Sequence, residues 1–309
     1  MSDKIGELLG DKQAVLVPGL PFADYCDLPA VNISTLLQFV GRTDYGAKWK
    51  IDHPSTETES LLIGHAAHAA ILEPAVFAAL YSSQPDFGDL RTKAAKELRD
   101  AWLAANAGKV SLPANDAAHV KAMKAAIDAC RDPEIREMFD GPGQNELTII
   151  WREQITGLGL ICKARIDRLT TLHGYSVIID LKTDKGITSR ELATSIGEYN
   201  YHARMAWYMD AMDIAKKAIN PAAPPTDWLA VWVWLMKPAI DTKTGVAKEA
   251  YEVRATQCDE SAFTEGRALY RHCFDRYSEC VKSGKWSSFP NGIDVVNPPI
   301  WAFKFTKPE

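Results

Sequence analysis

The segment "VIIDLKTDKG", residues 177–186, begins as an apolar run suited to a buried strand, yet it carries Asp180, and Lys182 follows two places on. Side chains alternate along a strand, so Ile178, Asp180 and Lys182 share one face, opposite Val177, Ile179, Leu181 and Thr183. In "CKARIDRL", residues 162–169, Lys163, Arg165 and Asp167 share a face, and Cys162, Ala164 and Ile166 share the other. The short "TLHG" turn makes these two segments neighbours. In a suitable register Asp167, Asp180 and Lys182 meet on one face. Carboxylates that close repel and raise each other's pKa unless a cation sits between them. Oxygen ligands suit a hard cation, so the pair points to Mg²⁺ or Mn²⁺. Lys182 could orient and activate a water or stabilise a negative phosphorane. The plainer alternative is a buried Lys–Asp salt bridge with no chemistry.

Other residues could join this site. In "GHAAHAAILEP", Gly64 and His68 lie one helical turn apart, the glycine removing a side chain where a helix would crowd a sheet. His68 could then offer an imidazole to the metal. His65 competes for that role, and either histidine could simply be packed on its helix. Glu146 could enter the metal network or merely pair with Arg165. In "EYNYHARMAWYMD", residues 198–210, Tyr201, Arg204 and Tyr208 share a helix face that could hold a phosphate or stack a base, or could be aromatics turned inward. Trp228, Trp232 and Trp234 share a strand face and read as core.

The elements that must position these groups follow from periodicity. Residues 1–55 have loop character with short helices. A helix is expected over 55–74, with Thr56 and Glu59 at capping-box spacing and Pro74 at its end or at the start of the next. Ala-rich helices are expected over 75–82, 91–106 and 114–130. Strands over 145–152, 158–169 and 175–183 form a three-stranded antiparallel meander. A helix over about 189–217 follows, then a strand at 228–236, a hairpin partner at 250–256 and a last helix at about 259–283. The tail over 297–305 reads as irregular. The order defines a mixed α/β core with an N-terminal helical elaboration. We expect one domain, 1–309, divided into the helical elaboration (1–140), the catalytic sheet (141–256) and the C-terminal helix and tail (257–309).

Composition sets the background. With 47% hydrophobic and 24% charged residues, the chain suits a globular protein. The opening "MSDKIGELLGDK" has no secretory apolar region, and the strongest apolar run, 228–236, is about half a membrane span (~20 residues). A cytoplasmic protein with no membrane partner is expected. The six cysteines form no CxxC pair and read as buried free thiols. The net charge is −5, yet Arg152–Arg190 holds seven basic and four acidic residues, a local positive excess in an acidic chain.

Several short motifs occur in a familiar order. Gly64, His68, Leu72, Glu73 and Pro74 precede Glu146 and Trp151; then come "TGL" (156–158), "CKARID" (162–167), "IIDLKT" (178–183) and "YHARMAWY" (201–208). This order, over roughly residues 30–290, resembles the C-terminal nuclease domain of exonuclease VIII, the RecE-type recombination nucleases, within the PD-(D/E)xK superfamily. The resemblance implies a restriction-endonuclease-like core and a Mg²⁺-dependent nuclease that digests double-stranded DNA ends 5′ to 3′, leaving 3′ single-stranded tails. It also implies a phage or prophage recombination role in a bacterial host, a homo-oligomeric ring and a single-strand annealing partner. Carried onto this chain, His68, Asp167, Asp180 and the Leu181 backbone carbonyl would be metal ligands, and Lys182 the catalytic lysine. Glu146 matches a family acidic position, and Tyr208 the tyrosine of a Q-x-x-x-Y motif. Arg204 replaces that glutamine. Lys163, Arg165, Lys185 and Arg190 would hold the DNA backbone with Arg204 and Tyr208. Some relatives carry an iron–sulfur cluster; Cys258, Cys273 and Cys280 are too far apart for that spacing, so none is expected. The rival readings are a structure-specific endonuclease or nickase of the same fold, a non-catalytic DNA-end-binding protein, and a metabolic protein with a buried salt bridge.

Overall fold

The computed structural model describes residues 3–56, 58–154, 156–241, 247–299 and 302. The chain begins with α1 (Asp3–Leu9), β1 (Ala14–Val17), α2 (Phe22–Asp27), α3 (Ile33–Leu36) and α4 (Asp44–Asp52). Next come α5 (Glu59–Leu72), α6 (Pro74–Leu80), β2 (Tyr81–Ser83), α7 (Lys93–Ala105), β3 (Val110–Leu112), α8 (Ala114–Ala129) and α9 (Pro133–Asp140). The central strands are β4 (Gln144–Arg152), β5 (Ile161–Leu172) and β6 (Tyr175–Asp184). After α10 (Ser189–Glu198) and α11 (Tyr201–Ile219) come β7 (Leu229–Met236), β8 (Val253–Thr256) and α12 (Glu260–Ser283).

The main sheet has the order β1-β4-β5-β6-β7-β8. The expected meander β4–β5–β6 is antiparallel throughout, and β7 runs parallel to β6. A parallel neighbour needs a crossover, which α10 and α11 provide. β8 closes one edge as the hairpin partner of β7, and β1 pairs antiparallel with β4 at the other. Two apolar layers sandwich the sheet. One contains Ile149, Ala164, Ile178 and Trp232 with Ala206 and Phe274 of α11 and α12. The other contains Ile179, Leu181 and Val233 with Ala66 and Met123 of α5 and α8. Trp232 and Trp234 are fully buried in the first layer, and Trp228 packs half-buried against it.

Several boundaries differ from the sequence expectations for identifiable reasons. The helix expected over 189–217 is two helices. Asn200 adopts a left-handed conformation (φ 53°) between them, which asparagine tolerates better than most residues. α10 has its own capping box, Thr188 with Glu191. The cap of α5 is Thr58, which accepts from the Leu61 N–H, so the Thr56–Glu59 spacing is not the one used. Pro74 opens α6 at its first turn. β1, the small parallel pair β2–β3 and the short α9 were not anticipated; each offers too few residues for a period to show. Cys162, Cys273 and Cys280 are buried, but Cys26 is exposed, and Cys130 and Cys258 are partly so. Among the described residues no helix is long and apolar enough to cross a membrane. Most of the tail over 297–305, and Ile155 in the turn before β5, lie outside the described residues.

Candidate metal centre and its surroundings

The site lies where the sheet changes its local geometry. β4 and β5 pair at Asn145↔Arg168 and at Leu147↔Ile166, with Glu146 and Asp167 left between. Glu146 has φ 52°, a left-handed conformation that costs a residue with a Cβ about 1–3 kcal/mol. On one side of this point Leu147 and Ile166 enter the core beneath α11. On the other side Arg168 reaches the opposite face and donates to the Met138, Phe139 and Gly141 carbonyls at the end of α9. The β5–β6 ladder ends at Arg168↔Ile179. Beyond it, the Leu181 N–H donates to Asp167 Oδ2 at 2.7 Å. The carboxylate thus accepts a main-chain donor that the β5–β6 ladder no longer serves.

α5 brings His68 to this gap, with Nδ1 3.5 Å from Asp167 Oδ2. His68, Glu146 and Asp167 each present one ligand atom, all within 4.8 Å of one another. Asp180, 2% exposed, lies beside them. Lys182 Nζ stands 2.6 Å from Asp180 Oδ2. Beyond this ion pair, Oδ2 is buried with no further hydrogen-bond partner. Burial raises the Asp180 pKa first of all; Lys182 opposes this and Asp167 adds to it. Burial and then Asp167 push the Glu146 carboxyl up to about 7, against the pull of Arg165. An imidazole nitrogen and clustered carboxylates, with a further buried carboxylate beside them, form a donor set that fits a divalent cation.

Each sequence candidate can now be placed. Glu146 lies in the cluster, and its Oε2 also accepts from Arg165 Nε at 2.5 Å, so the two placements considered for it are not exclusive. His65 is exposed and leans on the Phe22 ring (5.7 Å between centroids), while His68 faces Asp167. The Leu181 carbonyl accepts from Lys182 Nζ at 3.2 Å. A Cβ on Gly64 would make only ordinary contact with Thr183 Oγ1, at 3.7 Å, so close helix–sheet approach does not require this glycine.

The expected DNA-binding cations divide into two groups. Lys163 is 3% exposed, and its ammonium donates to the Tyr25, Cys26 and Leu28 carbonyls at 2.7, 3.1 and 2.8 Å. It is a clamp on the end of α2 and cannot reach a DNA backbone. Arg165 is likewise buried, held by Glu146, by the Leu20 carbonyl (2.6 Å) and by Glu73 (3.7 Å). Lys185 and Arg190 are exposed. Arg204 donates from Nη1 to Ser34 Oγ at 2.9 Å, and its Nε is buried without a partner. Tyr208 lines the cavity beside the cluster; burial first, then Asp180 and Asp167, raise its hydroxyl pKa well above the usual value. Sequence reading missed Phe22, Tyr25 and Ser34, which line the same cavity from a region without periodicity.

Carboxylates where two antiparallel strands part, a lysine two residues further on, and a parallel strand reached across helices together define a PD-(D/E)xK-type nuclease core. Residues 42–297 match the family described as "PDDEXK-like domain of unknown function (DUF3799)", and the chain belongs to that family. A crystal structure named "Putative exonuclease", from Eubacterium rectale, superposes with a TM-score of 0.50 at 12% identity, covering 91% of this chain and 96% of that one. At that identity the likeness is one of fold. Another, of SSO0001, aligns at a TM-score of 0.25 and 9% identity over 74% of this chain and 81% of that one, too low to bear on the fold. No curated protein matches the sequence. Nucleases of the PD-(D/E)xK class work with divalent metals, and the cluster described above supplies suitable ligands.

Proposed function

We propose that the protein is a divalent-metal-dependent double-stranded DNA exonuclease. The observation that carries this reading is the convergence of His68, Glu146 and Asp167 within 4.8 Å, next to the buried Asp180. Those four side chains and the Leu181 carbonyl would hold the ion, Mg²⁺ in the cell with Mn²⁺ able to replace it. Bound there, the cation would neutralise a phosphoryl oxygen and lower the pKa of a water.

The chain's own groups have definable tasks. Lys182 is held between the Asp180 carboxylate, the Leu181 carbonyl (3.2 Å) and the Tyr201 ring (5.2 Å). An ammonium has three donors, so it retains capacity to orient a water or to meet negative charge on the phosphoryl group. Arg165 Nε donates to Glu146 Oε2 and keeps that carboxylate from turning away. Lys185, Arg190 and Arg204 would contact phosphates. Such contacts carry no sequence information, so activity should be salt-sensitive and little dependent on sequence.

The likeness to RecE-type nucleases and the name of the Eubacterium rectale relative support the finer reading. On it, digestion runs 5′ to 3′ from duplex ends and leaves 3′ tails for an annealing protein. The enzyme would act as a ring of identical subunits in the cytoplasm of a bacterial cell, in phage or prophage recombination. The test uses linear duplex labelled at the 5′ or the 3′ end, and closed circular duplex, with Mg²⁺ or with EDTA. Early loss of the 5′ label, an intact circle and no reaction in EDTA or with Asp180→Ala support the reading. Cutting of the closed circle makes the protein an endonuclease, and equal digestion by Asp180→Ala removes the assignment of the site.

A further inference from the structure

The acid and histidine cluster faces a cavity of about 370 Å³. Much of the remaining wall is aromatic and apolar rather than basic, with Phe22, Tyr25, Val76, Leu80 and Tyr81 lining it. A site for backbone phosphates alone would call for cations there. Phe22 is 51% exposed, its ring nearly parallel to that of Tyr25 (22° between planes, centroids 6.4 Å apart). The helix that carries both rings, α2, buries none of its own residues and lacks a side-chain cap at its start. Tyr25 nonetheless packs, half-buried, against the small apolar cluster of Leu9, Leu20, Leu28 and Ile150, while Phe22 stays exposed. Lys163 holds its end through three carbonyls, Arg165 holds the Leu20 carbonyl just before it, and the Arg165 guanidinium lies 5.9 Å from each ring. Two buried cations and the packing of Tyr25 thus fix the exposed Phe22 ring next to the metal ligands.

We propose that this cavity takes the base of one unpaired terminal nucleotide, stacked on Phe22, while its phosphate faces the divalent cation that His68, Glu146 and Asp167 would hold. The inference rests on the nuclease reading above. A base within a duplex is already stacked and paired and cannot enter such a pocket, so the substrate at this site is an end frayed by at least one base pair. Every base offers a π-face, so the pocket tolerates any sequence. Lys163 and Arg165 act as positioning residues, through α2.

The test measures binding with Ca²⁺ in place of Mg²⁺, the recovered DNA being checked to be uncut, with three duplexes. One is fully paired, one carries a single unpaired 5′-terminal nucleotide, and one carries an abasic residue in that unpaired position. The chain should prefer the unpaired base over both others. Phe22→Ala should weaken binding of the unpaired end about 5- to 150-fold, the range that base–aromatic stacking supports, and abolish the preference. Phe22→Trp should keep it. Equal binding of the abasic end, a preference that survives Phe22→Ala, or failure to bind any of the three overturns the proposal. A preference in Ca²⁺ without any Mg²⁺-dependent cleavage keeps the pocket and removes the nuclease reading. Cleavage without the preference does the reverse.

Discussion

Replacing Lys163 with methionine separates two roles for a lysine that the sequence places among DNA-binding residues. Methionine keeps most of the buried stem and removes the ammonium. The Leu28 carbonyl, whose bond to Nζ is fully buried, would lose its partner at 2.8 Å, and an unsatisfied buried acceptor costs about 1–3 kcal/mol. The Tyr25 and Cys26 carbonyls are only part-buried and can recover water, so together they add roughly another 1 kcal/mol. Loss of the contact with the Tyr25 ring, 4.7 Å from Nζ, adds about 0.5–1 kcal/mol. Against this, burial depresses the Lys163 pKa, so the ammonium is not fully repaid for its desolvation, and removing it recovers part of the loss. The net expectation is a destabilisation of about 2–4 kcal/mol. Urea unfolding gives this value directly, and DNA affinity measured across salt concentrations supplies the contrast. If Lys163 is a clamp, stability falls and the salt slope of binding is unchanged. Stability within about 0.5 kcal/mol of wild type, with a salt slope reduced by about one ion, would make it a phosphate contact and refute this argument.

Other outcomes follow from single contacts. Lys182→Met should lower the cleavage rate about 10²–10³-fold, the usual loss for a positioned donor to developing charge, and an unchanged rate would show that the Asp180–Lys182 pair is only structural. A Cβ on Gly266 would lie 2.6 Å from the His202 carbonyl oxygen, so Gly266→Ala must push α12 from α11 at a cost of about 1–3 kcal/mol. Gly64→Ala has room and should stabilise α5 by about 0.5–1 kcal/mol in thermal unfolding; the opposite ranking of these two variants would contradict the packing described. His119 accepts or donates at 2.8 Å with the Tyr251 hydroxyl, and burial, then Lys237, hold its pKa below the ordinary value. The unfolded chain therefore takes a proton near pH 6.5 while the folded one resists, so this group's contribution falls as pH drops below that value. His119→Gln should lose less stability than wild type between about pH 7.5 and 5.5; equal losses would exclude His119 as a source.

Much of the fold was legible because its signals are periodic. Alternation over residues 162–169 and 177–183 marked two strands, and their linking turn made them antiparallel neighbours, which placed Asp167 near Asp180. The break at Asn200 was not legible, because its helical neighbours on both sides continue one apolar pattern. The four residues of β1 were too short to show a period. Lys163 and Arg165 were misassigned for a different reason. Alternation states which face a cation takes, but not what meets it there, and the carbonyls that hold Lys163 come from Tyr25, Cys26 and Leu28, more than 130 positions away. The same separation hid Phe22 and Tyr25 as parts of the site. Glu146 lies both in the cluster and beside Arg165 on a left-handed backbone, and a glutamate gives no hint of that in sequence.

The central claim is that His68, Glu146 and Asp167, with Asp180 beside them, form a divalent-cation site. Titrating the protein with Mn²⁺ at neutral pH, and following the electron paramagnetic resonance signal of the free ion, tests it without requiring cleavage. The account predicts that wild-type protein removes the free-ion signal stoichiometrically and that Asp167→Asn does not. A signal that persists with the wild type, or that the variant suppresses equally well, would contradict it.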